Sequence, residues 1–373
     1  MYERATNADF HGDRLRLARM LASLSLDELG GMVGVSRQFI HRLENNTNEP
    51  TGELRAALAA ALEVTPAFFA LPVVRPVRED DCHFRRLATA PRTILAQAAA
   101  RGTLVEALVD ALDKRLQLPA VDFPEAINPT SMEEVERIAE DARRHWQLGL
   151  DAPIISMTRV VENAGAVVIH FDDISDRIDA LSIARRRPLI VRSSAKTAAV
   201  RLRFDLAHEA GHLVMHQGII TGDKMTEDQA HRFASAFLIP RAAFAKEFPR
   251  MRRMLDWTGL FAMKLRWKVS VRAIVRRAFD LGLIDAAQYR TANVHLVKSG
   301  QAKAERYDDV IEPECPELLH SALNWLADRD LIGFHHMLDE LGVAKPLFIR
   351  MTGFGVPPLP SNVVQLRAGG REG

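Results

Sequence analysis

Five consecutive residues, H-E-A-G-H at positions 208–212, have the types and the spacing of a metal-dependent hydrolytic site. Two histidines four residues apart on a helix lie about 40° apart around its axis and one turn apart along it, so both imidazoles can reach one ion. Glu209 lies between them and can take a proton from a water whose pKa the metal brings to about 7. The pattern therefore predicts Zn²⁺ bound by His208 and His212, with Glu209 as the general base that promotes the attack of water on an amide.

The residues around the motif indicate a buried helix. Leu206, Ala207, Leu213 and Val214 flank it and are apolar, and histidine and glutamate are rarely buried without a partner. Gly211 falls in the middle of this predicted helix, where glycine costs about 1 kcal/mol relative to alanine. We therefore expect a neighbouring segment to approach the backbone closely at Gly211.

A catalytic zinc site uses three protein ligands and keeps a fourth position for water. The possible third ligands downstream of the motif are His216, Asp223, Glu227, Asp228 and His231. Glu227 lies on the apolar side of the next predicted helix, whereas Asp228 lies on its polar side. A carboxylate on a buried face needs a cation, which favours Glu227 as the ligand. Use of His216 instead would require three ligands from one helix.

The chain has 373 residues and a net charge of +1, which allows two or three domains and does not by itself indicate a nucleic-acid partner. No apolar run approaches the roughly 20 residues of a membrane span, and the N-terminus lacks the order of a signal peptide. Cys82 and Cys315 are isolated, which fits a reducing compartment and excludes a cysteine-rich zinc site. We therefore expect a cytoplasmic protein with no membrane partner.

Residues 1–72 are predicted to form a compact unit of five helices. Ser25 begins the second helix, with Glu28 three residues later completing a capping box. Gly34 ends that helix, and Ser36 begins the third. Two helices joined by a tight glycine-containing turn have the plan of a helix-turn-helix unit.

The order S-L-D-E-L-G-G-M-V-G-V-S-R-Q-F-I-H-R-L-E-N resembles the Cro/C1 repressor family, also called the Xre family, and the similarity covers about residues 12–70. It implies a recognition helix at residues 36–45 that binds double-stranded operator DNA. The N-terminal residues of such a helix enter the major groove. Base edges would then be contacted by Arg37, Gln38 and His41, and phosphates by Ser36 and Arg42.

The charge of this segment is unusual for a DNA-binding unit. Residues 1–70 carry seven arginines and nine acidic residues, a net charge of −2, whereas DNA-binding domains are usually basic. Acids directed away from the DNA would leave Arg37 and Arg42 dominant on the binding face. Docking of a protein partner is the alternative use of such a unit.

The segments RFDLAHEAGHLVMH and TEDQAHRFASAFLIP together resemble the ImmA/IrrE metallopeptidase family, and the similarity covers about residues 131–300. It implies Zn²⁺ at His208, His212 and Glu227, with Glu209 as general base. His231 stands where this family usually has asparagine. Two roles therefore stay open for it: a hydrogen-bond donor to the oxyanion, or a histidine at the surface or behind the ligands that takes no part in the reaction. Members of the family cleave repressor proteins, and fusions to Xre-type units are common in bacteria.

We therefore predict a mainly α fold with an N-terminal five-helix helix-turn-helix domain, then an α+β zincin-like metallopeptidase domain with a small sheet, then a helical C-terminal region. Strands are expected at residues 167–171 and 189–191. The predicted boundaries are 1–72 for the helix-turn-helix domain, 73–130 for a linker with a helix, 131–300 for the peptidase domain, 301–352 for the C-terminal region and 353–373 for a mobile tail.

The combination predicts a regulator in which a helix-turn-helix unit binds an operator and a zinc peptidase cleaves a repressor, or the chain itself, in response to a signal. Two other functions stay open. The first is a non-catalytic transcription factor that uses the metallopeptidase-like domain to sense a ligand or partner. The second is a component of a toxin–antitoxin or phage-defence system. Because operators for such units are commonly palindromic, we expect a homodimer.

Overall fold

The computed structural model describes residues 10–71, 76–77, 82–86, 92–125, 128–171, 178–183, 185–193, 198–219, 221–249 and 255–359. The fold is mainly α, as predicted, and within this part of the chain no helix is long and apolar enough to cross a membrane. Most of the predicted C-terminal tail lies outside the described residues. The helices are α1 (Gly12–Leu21), α2 (Leu26–Val33), α3 (Arg37–Glu44), α4 (Gly52–Ala61), α5 (Arg92–Asp113), α6 (Met132–His145), α7 (Met157–Asn163), α8 (Ala199–Met215), α9 (Lys224–Leu238), α10 (Arg241–Glu247), α11 (Trp257–Trp267), α12 (Val271–Asp280), α13 (Ala286–Lys298), α14 (Leu318–Arg329), α15 (Leu331–Leu341) and α16 (Lys345–Thr352).

The chain divides into two compact units. The first unit comprises the described residues within Met1–Pro76, Thr103–Gln117 and His320–Gly373. The second unit comprises those within Val77–Gly102 and Leu118–Leu319. The first therefore holds α1–α4, and the second holds the helix that carries the H-E-A-G-H motif.

Local capping explains the start of the helices in the helix-turn-helix segment. The Ser25 hydroxyl accepts a hydrogen bond from the Glu28 backbone N–H at 3.2 Å, and the Glu28 carboxylate accepts one from the Ser25 N–H at 2.7 Å. At the next helix, the Ser36 hydroxyl accepts from the Phe39 N–H at 3.2 Å. These contacts satisfy backbone donors that an α-helix leaves open at its N-terminus. The predicted bounds of α2 and α3 are confirmed.

Gly30 in α2 lies against the turn that leads to α3. A Cβ atom at Gly30 would lie 2.6 Å from the backbone oxygen of Val35, in the turn before α3. Such a contact is too short for two non-bonded heavy atoms. The tight packing of the turn against α2 therefore requires glycine here.

The C-terminal helices belong to the same unit as the helix-turn-helix segment. Thr65 donates its backbone N–H to the oxygen of Gly342 at 2.8 Å, and Ala344 donates its N–H to the oxygen of Glu63 at 3.1 Å. Glu63 also pairs with Arg350 at 2.5 Å. The described residues from 320 onward thus extend the packing of the first unit.

The second unit contains a small mixed sheet of four strands in the order β1-β3-β4-β2. Its strands are β1 (Cys82–Arg86), β2 (Val167–Phe171), β3 (Ile178–Ile183) and β4 (Leu189–Ser193). β2 runs parallel to β4, whereas β3 pairs antiparallel with both β1 and β4.

Two of the four strands were predicted and two were missed. β2 and β4 consist largely of β-branched and other apolar residues, which favour strands. The sequences of β1 and β3, C-H-F-R-R and I-D-A-L-S-I, include charged and small residues that strands usually lack. Only their pairing within the folded unit makes them strands.

The motif helix α8 packs closely on α9. A Cβ atom at Gly211 would lie 2.9 Å from a ring carbon of Phe233 on α9, so the predicted close approach at this glycine is confirmed. The α9 helix begins at Lys224, because the Asp223 carboxylate accepts hydrogen bonds from the N–H groups of Met225 and Thr226 at 2.7 and 3.0 Å. Asp223 therefore acts as the N-cap of α9.

A buried ion-pair cluster fixes α9 from its other side. Glu136 on α6 is fully buried and accepts two hydrogen bonds from Arg277 on α12, each 3.1 Å long. Arg232 on α9 lies 2.7 Å from the same carboxylate and 3.2 Å from Asp280. A buried carboxylate that loses such partners is strongly destabilising. The cluster thus joins α6, α9 and α12 and holds α9 beside the motif helix.

Glu162 on α7 is a buried acid whose ionisation should weaken the fold. Its carboxylate accepts hydrogen bonds from the backbone N–H groups of Glu317 and Leu318 at 3.1 and 3.2 Å. Burial nevertheless raises the pKa of Glu162 from 4.5 to about 7. The native protein then binds more protons than the unfolded chain between these two pH values. The contribution of Glu162 to stability is therefore complete below about pH 4.5 and lost as the pH rises through 7.

We expect Glu162→Gln to increase the unfolding free energy at pH 8 by up to about 3 kcal/mol and to have little effect at pH 4.5. The neutral amide oxygen can still accept a backbone hydrogen bond but bears no charge to desolvate. Urea denaturation at both pH values measures the difference. Glu312→Gln, which removes an exposed carboxylate of the same segment, is the control. Parallel stability–pH curves for wild type and Glu162→Gln would contradict the assignment.

Candidate metal centre and nucleic-acid interface

Three potential metal ligands from two helices meet at one point in the second unit. The Nε2 atoms of His208 and His212 on α8 lie 3.1 Å apart. Each lies 3.3 Å from a different carboxylate oxygen of Glu227 on α9. Both histidines are buried, and 29% of the Glu227 side chain is exposed. Among the described residues these three form the one cluster of histidine, cysteine or acidic side chains with metal-binding spacing.

The donor set and its dimensions fit a zinc ion. In a tetrahedral site with bonds of about 2.0–2.1 Å, two ligand atoms lie about 3.3 Å apart, close to the distances between His208, His212 and Glu227. Burial alone would raise the pKa of Glu227, but its contacts with the imidazoles of the motif helix lower that pKa far below its ordinary range. The carboxylate is therefore ionised and can serve as an anionic ligand.

Glu209 lies on α8 between the two histidines and is almost fully buried. Its Oε2 atom accepts a short hydrogen bond from the hydroxyl of Ser182 on β3. Sequence reasoning did not find Ser182, because β3 was not predicted. No local signal marks it, since the two residues are 27 positions apart. The contact orients the carboxylate from the sheet side.

A chain of hydrogen bonds runs from the metal cluster into the protein. Nδ1 of His216 lies 2.9 Å from Nδ1 of His212, and Nε2 of His216 lies 2.9 Å from Oε1 of Gln229. Gln229 in turn donates its Nε2 hydrogen to the backbone oxygen of Pro129 at 2.8 Å. Both ring nitrogens of His216 are thus engaged away from the point where the three ligand atoms meet. The sequence offered the His212–His216 spacing as a signal, but only a direct ligand role was considered for it.

His231 lies beside the cluster, and Asp228 lines the same cleft as His231. The His231 ring is exposed, with its centroid 4.6 Å from that of His208. Its Nδ1 lies 3.1 Å from the backbone oxygen of Glu227. Both residues line a cleft of about 1080 Å³, together with Phe204 and Ser235. Asp228, on the polar side of α9 as predicted from helical phase, faces this cleft.

The residues predicted to contact DNA form one exposed surface on α3. All five are exposed: Ser36, Arg37, Gln38, His41 and Arg42. The Arg37 guanidinium lies 3.6 Å from the Asp27 carboxylate, and both side chains are about two-thirds exposed. An ion pair this exposed is weak, so Arg37 can leave it for a phosphate or a base.

One acid of α3 points away from this surface. Glu44 is buried, and its carboxylate accepts hydrogen bonds from Arg19 on α1 at 2.5 and 3.0 Å. The charge of Glu44 is therefore neutralised inside the unit. Glu44 therefore adds no charge to the face that carries Arg37 and Arg42, although the pair with Arg19 leaves the net charge of residues 1–70 at −2.

Comparison with known families supports both parts of the chain. Residues 15–69 match the family model described as helix-turn-helix, and residues 161–279 match the IrrE N-terminal-like domain of peptidase family M78. A comparison with curated proteins gives no match. The second match includes the whole histidine and glutamate cluster, and family M78 is generally metal-dependent. The chain therefore joins, in this order, a DNA-binding helix-turn-helix domain and a metallopeptidase-like domain of the IrrE type.

Proposed function

We propose that the protein is a transcriptional regulator whose second unit is a zinc-dependent endopeptidase that cleaves a repressor, or the chain itself, in response to a signal. The observation that carries the proposal is the tetrahedron-like spacing of the His208, His212 and Glu227 donor atoms, together with the buried Glu209 on the same helix as the two histidines. A site that bound metal only for structure would have no need of a buried glutamate at that place.

Bound zinc would supply a Lewis acid that polarises the peptide carbonyl. The Glu209 carboxylate accepts the proton of the attacking water and then delivers it to the leaving nitrogen. The Ser182 hydroxyl holds one oxygen of that carboxylate and so limits its rotation. The cleft lined by His231, whose ring lies 4.6 Å from that of His208, would offer a peptide segment a place to bind beside the site.

The first unit would bring the peptidase to operator DNA. The major groove would be entered or bordered by five residues of the recognition helix: Ser36, Arg37, Gln38, His41 and Arg42. A homodimer would match a palindromic operator. Because the target would be chromosomal or mobile-element DNA, we expect the protein to act in the bacterial cytoplasm. A cut in a repressor bound at the same operator would then change transcription there.

The proposal is tested by supplying the purified full chain with one equivalent of Zn²⁺ and mixing it with bacterial proteins. Labelling of new N-termini identifies any bond that is cut, in the mixture or in the chain itself. We expect defined cuts that disappear after chelation and return with Zn²⁺. A chain that binds zinc and DNA but cuts nothing would instead support a non-catalytic sensor. Growth arrest on expression, relieved by a neighbouring gene, would support a toxin–antitoxin or defence role.

We expect Arg37→Ala to weaken binding to a DNA sequence selected by the full chain by about 1–3 kcal/mol, with relaxed preference at one base position. Arg42→Ala should weaken binding to all sequences and reduce the slope of log affinity against log salt by about 1. Fluorescence anisotropy at several salt concentrations measures both effects. Arg290→Ala removes an exposed arginine from the second unit and is the control for charge. If all three variants bind alike, α3 does not read DNA.

A further inference from the structure

We propose that His216 is a positioning residue that, through Gln229, holds His212 in the one neutral tautomer that can bind a metal ion through Nε2. The proposal rests on the proposed zinc site and assigns a purpose to a buried histidine that binds no metal itself. Three side chains and one backbone carbonyl carry it. His212 and His216 are each 1% exposed and Gln229 is 5% exposed, so water does not replace these contacts.

The direction of each hydrogen bond in this chain can be assigned from one end, the backbone oxygen of Pro129, which can only accept. The backbone oxygen of Pro129 accepts from Gln229 at 2.8 Å, which assigns the NH₂ end of that amide to Pro129. The Oε1 end must then face His216. An amide oxygen can only accept, so Nε2 of His216 carries the hydrogen of their 2.9 Å contact.

The next contact fixes the second ring. A neutral imidazole has one N–H and one bare nitrogen. His216 is 1% exposed, and its two ring nitrogens contact a neutral amide and another imidazole, so a charge on this ring would be buried with no carboxylate at either contact. The neutral ring is therefore favoured. With the hydrogen on Nε2, Nδ1 of His216 is bare and accepts from Nδ1 of His212 at 2.9 Å. His212 must therefore carry its hydrogen on Nδ1 and expose a lone pair on Nε2.

That lone pair lies at the candidate metal centre. Nε2 of His212 is 3.1 Å from Nε2 of His208 and 3.3 Å from the Glu227 carboxylate. The opposite tautomer would place a hydrogen there and would have to shift before an ion could bind. Outer hydrogen bonds to a ligating histidine typically contribute 10–100-fold to metal affinity.

The first experiment needs no substrate and no metal. The metal-free full chain, labelled with ¹⁵N in its histidines, is studied by long-range ¹H–¹⁵N correlation, and His212 is assigned by the signal that His212→Gln removes. We expect a protonated Nδ1 and a bare Nε2 in wild type, and a mixture of tautomers in Gln229→Leu. Gln217→Leu is the control, because it makes the same change at an exposed glutamine that donates to the backbone oxygen of Leu213. It should leave the His212 signal as in wild type. A hydrogen on Nε2 of wild-type His212 would overturn the proposal.

The second experiment measures zinc affinity by competition with a chelator. We expect His216→Leu to weaken binding about 10–100-fold. His216→Asn places an amide oxygen where Nδ1 was and should retain most of the affinity, which a loss of packing alone would not explain. Equal affinity in wild type and a folded His216→Leu would sink the proposal. A wild-type chain that bound no zinc at all would contradict the proposed function. The inference about His216 would then be decided by the first experiment, which measures the tautomer of His212 without metal.

Discussion

Glu209→Gln should reduce the rate of peptide cleavage by about 10²–10⁴-fold while the protein still binds one zinc ion. General acid–base catalysis typically contributes a factor of this size, and glutamine can accept the Ser182 hydrogen bond without taking a proton from water. His208, His212 and Glu227 would remain as the metal ligands. Cleavage of the bond identified with wild type, measured together with metal content, tests this result.

Asp228→Asn is the matched control for Glu209→Gln, because it makes the same acid-to-amide change at an exposed residue of the adjoining cleft. It should cleave at a rate much nearer to that of wild type. Full activity in Glu209→Gln would remove Glu209 from the mechanism. Loss of zinc from that variant would mean that the carboxylate supports the metal site and that its role in proton transfer has not been isolated.

Glu227→Ala should weaken zinc binding by more than the 10–100-fold that loss of an outer hydrogen bond typically causes, because it removes one of three ligands. The two remaining histidines would also lose the carboxylate that lies 3.3 Å from each of them. Chelator competition measures the affinity, and the cleavage rate at saturating zinc shows whether the remaining ligands support any reaction.

The adjacent acid gives a direct control for this result. Asp228→Ala removes a carboxylate from the next residue of the same helix and should leave zinc affinity close to that of wild type. Circular dichroism of both variants verifies that α9 is intact. If Asp228→Ala lost zinc and Glu227→Ala kept it, the helical phase used to choose between the two acids would be wrong.

Much of the architecture follows from local patterns. The bounds of α2 and α3 were predicted correctly because Ser25, Glu28 and Ser36 satisfy backbone groups within three residues of themselves. The proximity of Glu227 to the motif helix was anticipated from the apolar stripe of α9. The close approach of a neighbouring helix at Gly211 was predicted because glycine in a helix interior is costly unless a tight contact requires it.

Other features depend on residues that are far apart in the chain. β1 and β3 contain too few strand-favouring residues to be predicted, so Ser182 was not connected with Glu209. The same holds for Gln229 and Pro129, which are 100 positions apart. The pairing of Glu63 with Arg350 likewise follows no local rule.

Residue types and helical periodicity were thus sufficient to predict a helix-turn-helix unit, a two-histidine motif and the acid most suited to complete it. These properties depend on neighbours within one or two turns. The orientation of the Glu209 carboxylate, the tautomer inferred for His212 and the joining of the C-terminal helices to the first unit come from contacts across the fold. Such contacts arise only when packing brings distant segments within hydrogen-bond distance, and no periodicity in the sequence encodes them.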